Sequence, residues 1–340
     1  KALEDRYRVE RELGEGGMAT VYLAEDQVVR GLVALKVLHP HLRQDELVVE
    51  RFRREIAAVR RIGHENVVAI HDLVETDELL CLVLEYHPGR DLNRIIRRGG
   101  ALPAQEVLAI AGQVLDGLGA AHLQGVVHRD VKPHNLLVSE EGICKIADFG
   151  LARVDDLVGV TTHTMTLGTP EYLAPELLSS PIVDGRADLY ALGVSLFEAL
   201  SGKLPYRASS PMALLKMHQE AAVPDLRQID PSLPDALCAA VKRAMSKDPE
   251  DRFATAAEMR AALTARSLTR RSSSVEPAAC RACGARLISG VASCVECGHE
   301  PIRLSALRRG GRRVFISRLT SWFRYDLSRA DDLTFQQKHD

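Results

Sequence analysis

The chain holds 340 residues, 46% of them hydrophobic and 26% charged, with a formal net charge of −2. This supplies a sizeable core, mostly aliphatic because aromatics are only 4%, and excludes wholesale disorder; the length suits roughly two domains. The longest apolar runs, such as the one around Leu189–Leu200, are broken by acidic or small residues well short of the ~18 consecutive positions a membrane span requires.

The chain opens with Lys1 and no charged-then-apolar leader, which points to a cytoplasmic protein. Three short β-branched runs follow, Tyr7–Gly14, Thr20–Glu25 and Leu32–Leu38, and each reads as a strand. Across Asp45–Arg61 the apolar positions Leu47, Val48, Phe52, Ile56 and Val59 recur at a helical period, opposite Arg and Glu. Val67–Val74 and Leu79–Tyr86 return to strand composition. From about Asp91 helices take over. One stripe runs through Val107, Ile110, Ala111, Val114, Leu115 and Leu118, another through Leu189, Leu192, Leu196 and Leu200. Pro211–Gln219, Asp235–Met245 and Thr255–Ala265 complete the helical half. A small sheet-rich lobe ahead of a larger helical one is an α+β architecture with a cleft between them. The scattered Cys81, Cys144 and Cys238 read as small buried hydrophobes.

Gly14-Glu15-Gly16-Gly17-Met18-Ala19-Thr20-Val21 lies between two expected strands. Glycines there let a hairpin lie close over phosphates with its backbone N–H groups aimed at them, although an ordinary hairpin also explains the segment taken alone. No helix follows, so neither a dinucleotide fold nor a Walker-type loop fits. Lys36 ends the apolar run Val33-Ala34-Leu35 and needs a partner. Glu55 on the following helix is the candidate, and the pair would leave the ammonium free to hold phosphate oxygens.

The polar string His128-Arg129-Asp130-Val131-Lys132-Pro133-His134-Asn135 sits between Val126-Val127 and Leu136-Leu137-Val138, read as strands that hold it in place. Asp130 can orient a hydroxyl and accept its proton. Lys132 can neutralise a phosphoryl group in transit, and Asn135 offers a neutral oxygen to a hard cation. Asp148, at the end of Lys145-Ile146-Ala147, is a natural second metal ligand. Either aspartate alone is more often a turn or a cap. Together with Lys36 and the glycine turn they supply every part that phosphoryl transfer needs.

In order and spacing these motifs resemble a bacterial protein kinase of the eukaryotic-like serine/threonine family over roughly Tyr7–Ala265. Ala174-Pro175-Glu176, Asp188 ahead of Tyr190-Ala191-Leu192-Gly193, and Arg252 extend the likeness. Lys132 and Gly168-Thr169-Pro170-Glu171-Tyr172 resemble the serine/threonine branch. The resemblance implies a bilobal kinase fold, ATP and Mg2+ as cofactors, and protein substrates. It implies a catalytic set of Lys36, Glu55, Asp130 and Lys132, with Asn135 and Asp148 holding Mg2+. It further implies an ATP site of Gly14, Gly16, Gly17, Val21, Ala34, Lys36, Leu84, Glu85, His87, Asp91 and Leu137. In that site Leu84 backs the adenine pocket, Glu85 and His87 offer hinge backbone groups, and Asp91 bonds the ribose. Glu176 is implied to pair with Arg252, and Asp188 to brace the backbone of the His128–Asp130 loop. Ala19 stands where the family has its third glycine, which stiffens the loop modestly without blocking nucleotide. Arg129, beside Asp130, can be engaged by a phosphorylated residue of the loop between Asp148 and Glu176. Thr161, Thr162, Thr164 and Thr166 are the candidates, Thr164 first.

The C-terminal part has another character. Residues 266–340 hold 14 Lys and Arg against 7 Asp and Glu, leaving 30 against 39 in the first 265, and parts of opposite sign have different jobs. Residues 266–277, with Arg270-Arg271-Ser272-Ser273-Ser274 and Pro277, read as a linker. Within 278–301, Cys280, Cys283, Cys294 and Cys297 form two C-x-x-C knuckles, each followed by glycine. This resembles a zinc ribbon, whose four thiolates would close a structural Zn2+ site; two disulfides or a redox pair are the alternatives. The tail, 302–340, carries seven arginines and no acid between Ile302 and Tyr325. It suits an anionic or protein partner, and equally a segment packed on its own kinase domain. The leading reading is an active serine/threonine kinase that autophosphorylates its activation loop. The alternative is a catalytically weak scaffold whose ribbon and tail recruit a protein or nucleic-acid partner.

Overall fold

A computed structural model describes residues 5–17, 19–40, 49–50, 53, 56–57, 59–76, 79–149, 170–178 and 183–265. The chain divides between Ala265 and Arg266, and all described residues belong to the first part. Glu55, Thr161, Thr162, Thr164, Thr166, Cys280, Cys283, Cys294 and Cys297 lie outside them, as do the expected linker, ribbon and tail.

Five antiparallel strands, β1 (Tyr7–Glu15), β2 (Ala19–Asp26), β3 (Gly31–Leu38), β4 (Ile70–Glu75) and β5 (Leu80–Glu85), form one sheet in the order β1-β2-β3-β5-β4. The two-residue period of a strand sorts their side chains between faces. Tyr7, Ala24, Val33, Leu35, Cys81 and Val83 pack together on one face, and Leu38, Leu80 and Leu82 with Ile56 on the other. Of the helix expected over Asp45–Arg61, the described residues Val49, Glu50, Arg53, Ile56, Ala57 and Val59 are helical. Strand β4 begins at Ile70 rather than Val67. Val67 is drawn instead into a parallel bridge with Ile146, and the Val68 amide donates to the Ile146 carbonyl at 2.9 Å.

Helices dominate the described residues that follow, as expected: α1 (Leu92–Gly99), α2 (Ala104–Leu123), α3 (Arg186–Ser201), α4 (Pro211–Glu220), α5 (Leu226–Ile229), α6 (Asp235–Ala244) and α7 (Ala256–Thr264). A second small sheet, β6 (Arg90–Asp91), β7 (Leu136–Val138) and β8 (Cys144–Ile146), carries the polar loops. Val126-Val127 forms no strand. The Val126 amide turns back onto the Ala121 carbonyl at 3.0 Å to finish α2, so only Leu136–Val138 supports the string from a sheet. Every residue of α3 after Arg186 is buried, the condition of a helix enclosed on all sides. Cys81, Cys144 and Cys238 are buried thiols, as their isolation in sequence suggested. Among the described residues no helix is long and apolar enough to cross a membrane.

One ion pair locks the helical half. Arg252, fully buried, meets Glu176 through Nη1–Oε1 at 2.6 Å and Nη2–Oε2 at 2.8 Å. Its remaining donors go to the carbonyls of Ser246, Arg186 and Lys247 at 2.8, 3.1 and 3.0 Å. All five guanidinium N–H groups are thereby used, which is what makes a buried cation tolerable. Its plane lies 4.7 Å from the Tyr190 ring.

Tyr190 also leads to a buried imidazole: its hydroxyl lies 2.8 Å from Nδ1 of His218, which has no solvent exposure. Burial, and then the Lys247 ammonium, push the pKa of His218 down to about 4 from an ordinary 6.5. The folded state therefore refuses a proton that the unfolded chain accepts below 6.5. Stability contributed by the neutral imidazole is complete above pH 6.5 and is lost as pH falls toward 4, by up to ~3 kcal/mol. Urea denaturation between pH 7 and pH 4 should show this slope, reduced in a His218→Gln variant; equal slopes would refute it.

Candidate active site

Strand register assembles one wall. Val21 opposes Lys36 across β2 and β3, and Ala34 opposes Leu84 across β3 and β5. Opposed residues share a face, so Val21, Ala34, Lys36 and Leu84 stand together. Lys36 extends from this face to Asp148, with Nζ 2.6 Å from Oδ1. The partner seen for Lys36 is thus Asp148, while the expected Glu55 lies outside the described residues. Burial opposes ionisation of Asp148, but Lys36, with His128 and Lys132 adding, holds its carboxyl below the usual carboxylate range. Asp148 itself adopts a left-handed backbone, φ 60°, just after β8. Non-glycine residues keep that conformation only where the surroundings over-determine it.

Above the wall is the hairpin tip, closed by the Gly16 amide donating to the Ala19 carbonyl at 2.9 Å. Among the described residues, Gly14 and Gly17 have no neighbour within 4 Å of where a Cβ would stand, and neither has a positive φ. Nothing in the packing of those residues asks for glycine there. Gly89, behind the site, is different, because a Cβ would come 2.3 Å from the Val138 carbonyl oxygen.

The connection between the sheet and the helices is tied by side chains. Lys145 Nζ meets the Glu85 carboxylate at 2.8 Å, and Glu85 also accepts from the Ala69 amide at 3.2 Å. His87 Nε2 lies 3.1 Å from the Ile143 carbonyl oxygen. Asp91, expected at a ribose, is also the N-cap of α1, its Oδ1 accepting from the Arg94 amide at 2.8 Å. Leu137 in β7 opposes Asp91 in β6, which brings these two site candidates together.

The polar string folds around Asp130. Asn135 Nδ2 donates to the Asp130 carbonyl at 2.8 Å and to its Oδ2 at 3.0 Å, and Lys132 Nζ lies 2.8 Å from the same Oδ2. The Ala147 amide donates to the Asn135 carbonyl at 2.8 Å, which ties this loop to the one carrying Asp148. His128 helps: its Nδ1 accepts from the Asp130 amide at 3.2 Å, and its Nε2 faces the Ala147 carbonyl at 2.9 Å. Its ring packs on Phe149, centroids 4.4 Å apart. Arg129 is held at φ 67°. Asp188, at the start of α3 and fully buried, accepts from the amides of His128 at 2.8 Å and Arg129 at 2.7 Å. A third donor was not foreseen from sequence: His122 Nε2, at the end of α2, lies 2.8 Å from Asp188 Oδ2. Its only signal was a polar residue in the last turn of the helix. The Lys145–Glu85 pair was not foreseen either, since Glu85 was read only for its hinge backbone and Lys145 only as part of the run that leads to Asp148.

Comparison with known proteins gives a consistent result. Residues 7–263 match the family model of the protein kinase domain. Serine/threonine-protein kinase PrkC of Bacillus subtilis is 37% identical over 261 residues, which are 77% of this chain and 40% of that protein. Serine/threonine-protein kinase PksC of Streptomyces coelicolor is 40% identical over 265 residues, 75% of this chain and 48% of that protein. The chain thus spans less than half the length of these relatives. The crystal structure of the Mycobacterium tuberculosis PknI kinase domain superposes with a TM-score of 0.61 at 33% identity, covering 76% of this chain and 94% of that one.

Proposed function

The chain belongs to the protein kinase family, and from that premise we propose that it transfers the γ-phosphoryl group of ATP to serine or threonine hydroxyls of proteins. The observation that carries this reading is the convergence of Lys36, Asp148, Asn135, Asp130 and Lys132 through contacts of 2.6–3.0 Å and one shared loop junction. In this reading the substrate oxygen attacks the γ-phosphorus, its proton passes to the Asp130 carboxylate, and the bond to the ADP oxygen breaks. Lys132 offsets charge on the group in transit. Lys36, with Glu55 as its partner on the neighbouring helix, holds the nucleotide phosphates. Val21, Ala34, Leu84 and Leu137 flank the adenine, Glu85 and His87 serve as its hinge, Asp91 meets the ribose, and Gly14, Gly16 and Gly17 cover the phosphates. Asn135 commits its Nδ2 to Asp130, so the group it leaves for a cation is its oxygen. That oxygen and the Asp148 carboxylate are hard donors suited to Mg2+, which when bound neutralises phosphate charge. The scaffold alternative draws no support from a site whose described residues are all in place.

The same reading assigns residues 1–265 to the kinase domain, 266–277 to a linker, 278–301 to a zinc ribbon and 302–340 to a basic tail that meets a protein or anionic partner. It keeps a cytoplasmic setting as part of the proposal.

Three outcomes are expected. Lys36→Met and Asp130→Asn should each leave the fold intact. Asp130→Asn should lower turnover about 100- to 10,000-fold, and Lys36→Met should act on nucleotide binding as well. Radiolabelled phosphate transfer to a generic acceptor measures both, and wild-type turnover in either variant would remove the mechanism.

Incubation with ATP and Mg2+ should place phosphate in the 161–166 threonine cluster, where Arg129 can engage it, and raise activity. Phosphosite mapping reads the first point. A variant with Thr161, Thr162, Thr164 and Thr166 all changed to Ala that keeps full activity and unchanged activation kinetics would defeat the second.

Finally, elemental analysis of the reduced chain should find one zinc ion held by Cys280, Cys283, Cys294 and Cys297. Chelation should make the neighbouring linker protease-sensitive while the kinase domain survives, because so small a module folds on its metal. Absence of zinc would revive the disulfide alternative.

A further inference from the structure

We propose that Glu171 is a specificity-determining residue, which selects substrate serines and threonines that stand close to an arginine or lysine. The inference rests on the kinase reading of the site and names the class of peptide that the site takes.

Glu171 lies in the short turn Pro170–Tyr172. One of its carboxylate oxygens, Oε2, is covered by protein and has no hydrogen-bond partner among the described residues, although the residue as a whole is only partly buried. A carboxylate deprived of water on one side and given no donor is unfavourable until a cation answers it from the open side. The neighbouring acids are in a different condition. Asp130 has Lys132 and Asn135, Asp91 has the Arg94 side chain at 3.1 Å, and Glu176 has Arg252. Glu198 accepts the Tyr172 hydroxyl at 2.6 Å, with Arg97 and Arg207 in electrostatic reach of it. Among these described acids, Glu171 is the one whose charge the fold leaves open.

Its place suits a substrate contact. Arg97, on α1, lies in electrostatic reach of Tyr172 and Glu198, and also of His134, which stands between Lys132 and Asn135. The Pro170–Tyr172 turn and the string that carries Asp130 therefore border one neighbourhood. An extended peptide spans such a distance easily, since a residue three positions from the acceptor stands ~10 Å from it. Charge over the longer range points the same way. The first 265 residues hold 39 Asp and Glu against 30 Lys and Arg, a field that draws basic peptides. A guanidinium then offers paired N–H donors that match a carboxylate. The chain itself holds a segment of this kind, Arg270-Arg271-Ser272-Ser273-Ser274.

The probe is a synthetic peptide of residues 266–277, offered to the purified full chain with ATP and Mg2+. Beside it stand two counterparts in which Arg266, Arg270 and Arg271 are all Ala or all Glu. The arginine peptide should exceed the alanine peptide in kcat/KM about 10-fold, and the glutamate peptide should be the poorest. Glu171→Gln should raise KM for the arginine peptide, bring it within about 2-fold of the alanine peptide, and leave KM for ATP little changed. Glu171→Arg should reverse the order of the arginine and glutamate peptides. A purely structural role for Glu171 would lower the use of all three by one common factor.

Equal use of the arginine and alanine peptides by the unaltered chain would overturn the proposal, as would discrimination that survives Glu171→Gln in full. A preference for the glutamate peptide would overturn it too, and would pass the reading of substrate to Arg97 and Arg207. If the Glu171 variants fail to fold, salt decides on the unaltered chain. The advantage of the arginine peptide should shrink between ~0.05 M and ~0.5 M NaCl, and an advantage indifferent to salt would refute a charge contact. If neither the peptides nor a generic acceptor are phosphorylated, the kinase reading fails separately. Fluorescence anisotropy of the labelled peptides then still tests Glu171, because the arginine peptide should bind the unaltered chain more tightly than the alanine peptide. Equal binding would refute the role.

Discussion

Lys36 and Asp148 stand 112 positions apart in the chain and meet at 2.6 Å. Neither chooses its place freely. Lys36 is paired on both sides within the sheet, and Asp148 follows β8 in a left-handed turn. The ion pair therefore gauges the separation between the sheet and the polar loops, and a shift of ~1–2 Å on either side would open it toward solvent. Lys36 is mostly buried while Asp148 is partly open. At such a boundary the attraction exceeds that of a surface pair yet can still be exchanged for another anion. Under the proposed function, that intermediate strength suits a lysine that hands itself to phosphate oxygens.

Behind the loops, α3 works as the reference post. Its first turn carries Asp188, its last carries Glu198, which accepts a 2.6 Å hydrogen bond from the Tyr172 hydroxyl, and the Arg186 carbonyl accepts from Arg252. Three separate stretches of chain, the Asp130 loop, the segment at Tyr172 and the one at Arg252, are thus located against one enclosed helix. Gly193 lets α6 approach it, since a Cβ there would meet Ala244 and Met245 at 3.0 Å. Enclosure by apolar neighbours keeps this post from moving, and the polar groups on it inherit that rigidity.

Much of this was legible in sequence because the relevant signals are local. β-Branched runs gave four of the five large strands nearly at their bounds, and the helical stripes gave the long helices. The polar string was legible as a unit too, since an Asp, a Lys and an Asn stand close together between apolar runs, and the structure brings those three side chains into contact. What escaped depends on tertiary contact. Val67 looked like strand until its bridge to Ile146 took it, and Val126-Val127 looked like strand until the end of α2 claimed the Val126 amide. Strand β6, two residues long, has no period to detect. The Asp148 partner of Lys36 was missed because helix adjacency favoured Glu55, and spacing says nothing about contacts across a cleft.

The hairpin glycines separate two kinds of necessity. At Gly89 a side chain would strike the backbone, so the position is enforced by the fold itself. At Gly14 and Gly17 a methyl group would meet none of the described residues, with no unusual torsion to punish it. A collection of variants sorted only for expression and heat resistance would let these two glycines drift to alanine or serine and keep Gly89. Under the proposed function, the same collection sorted for turnover would hold all three. The molecule's tolerance map and its activity map therefore diverge at the tip of one hairpin, where the chain gives up rigidity it could easily have had.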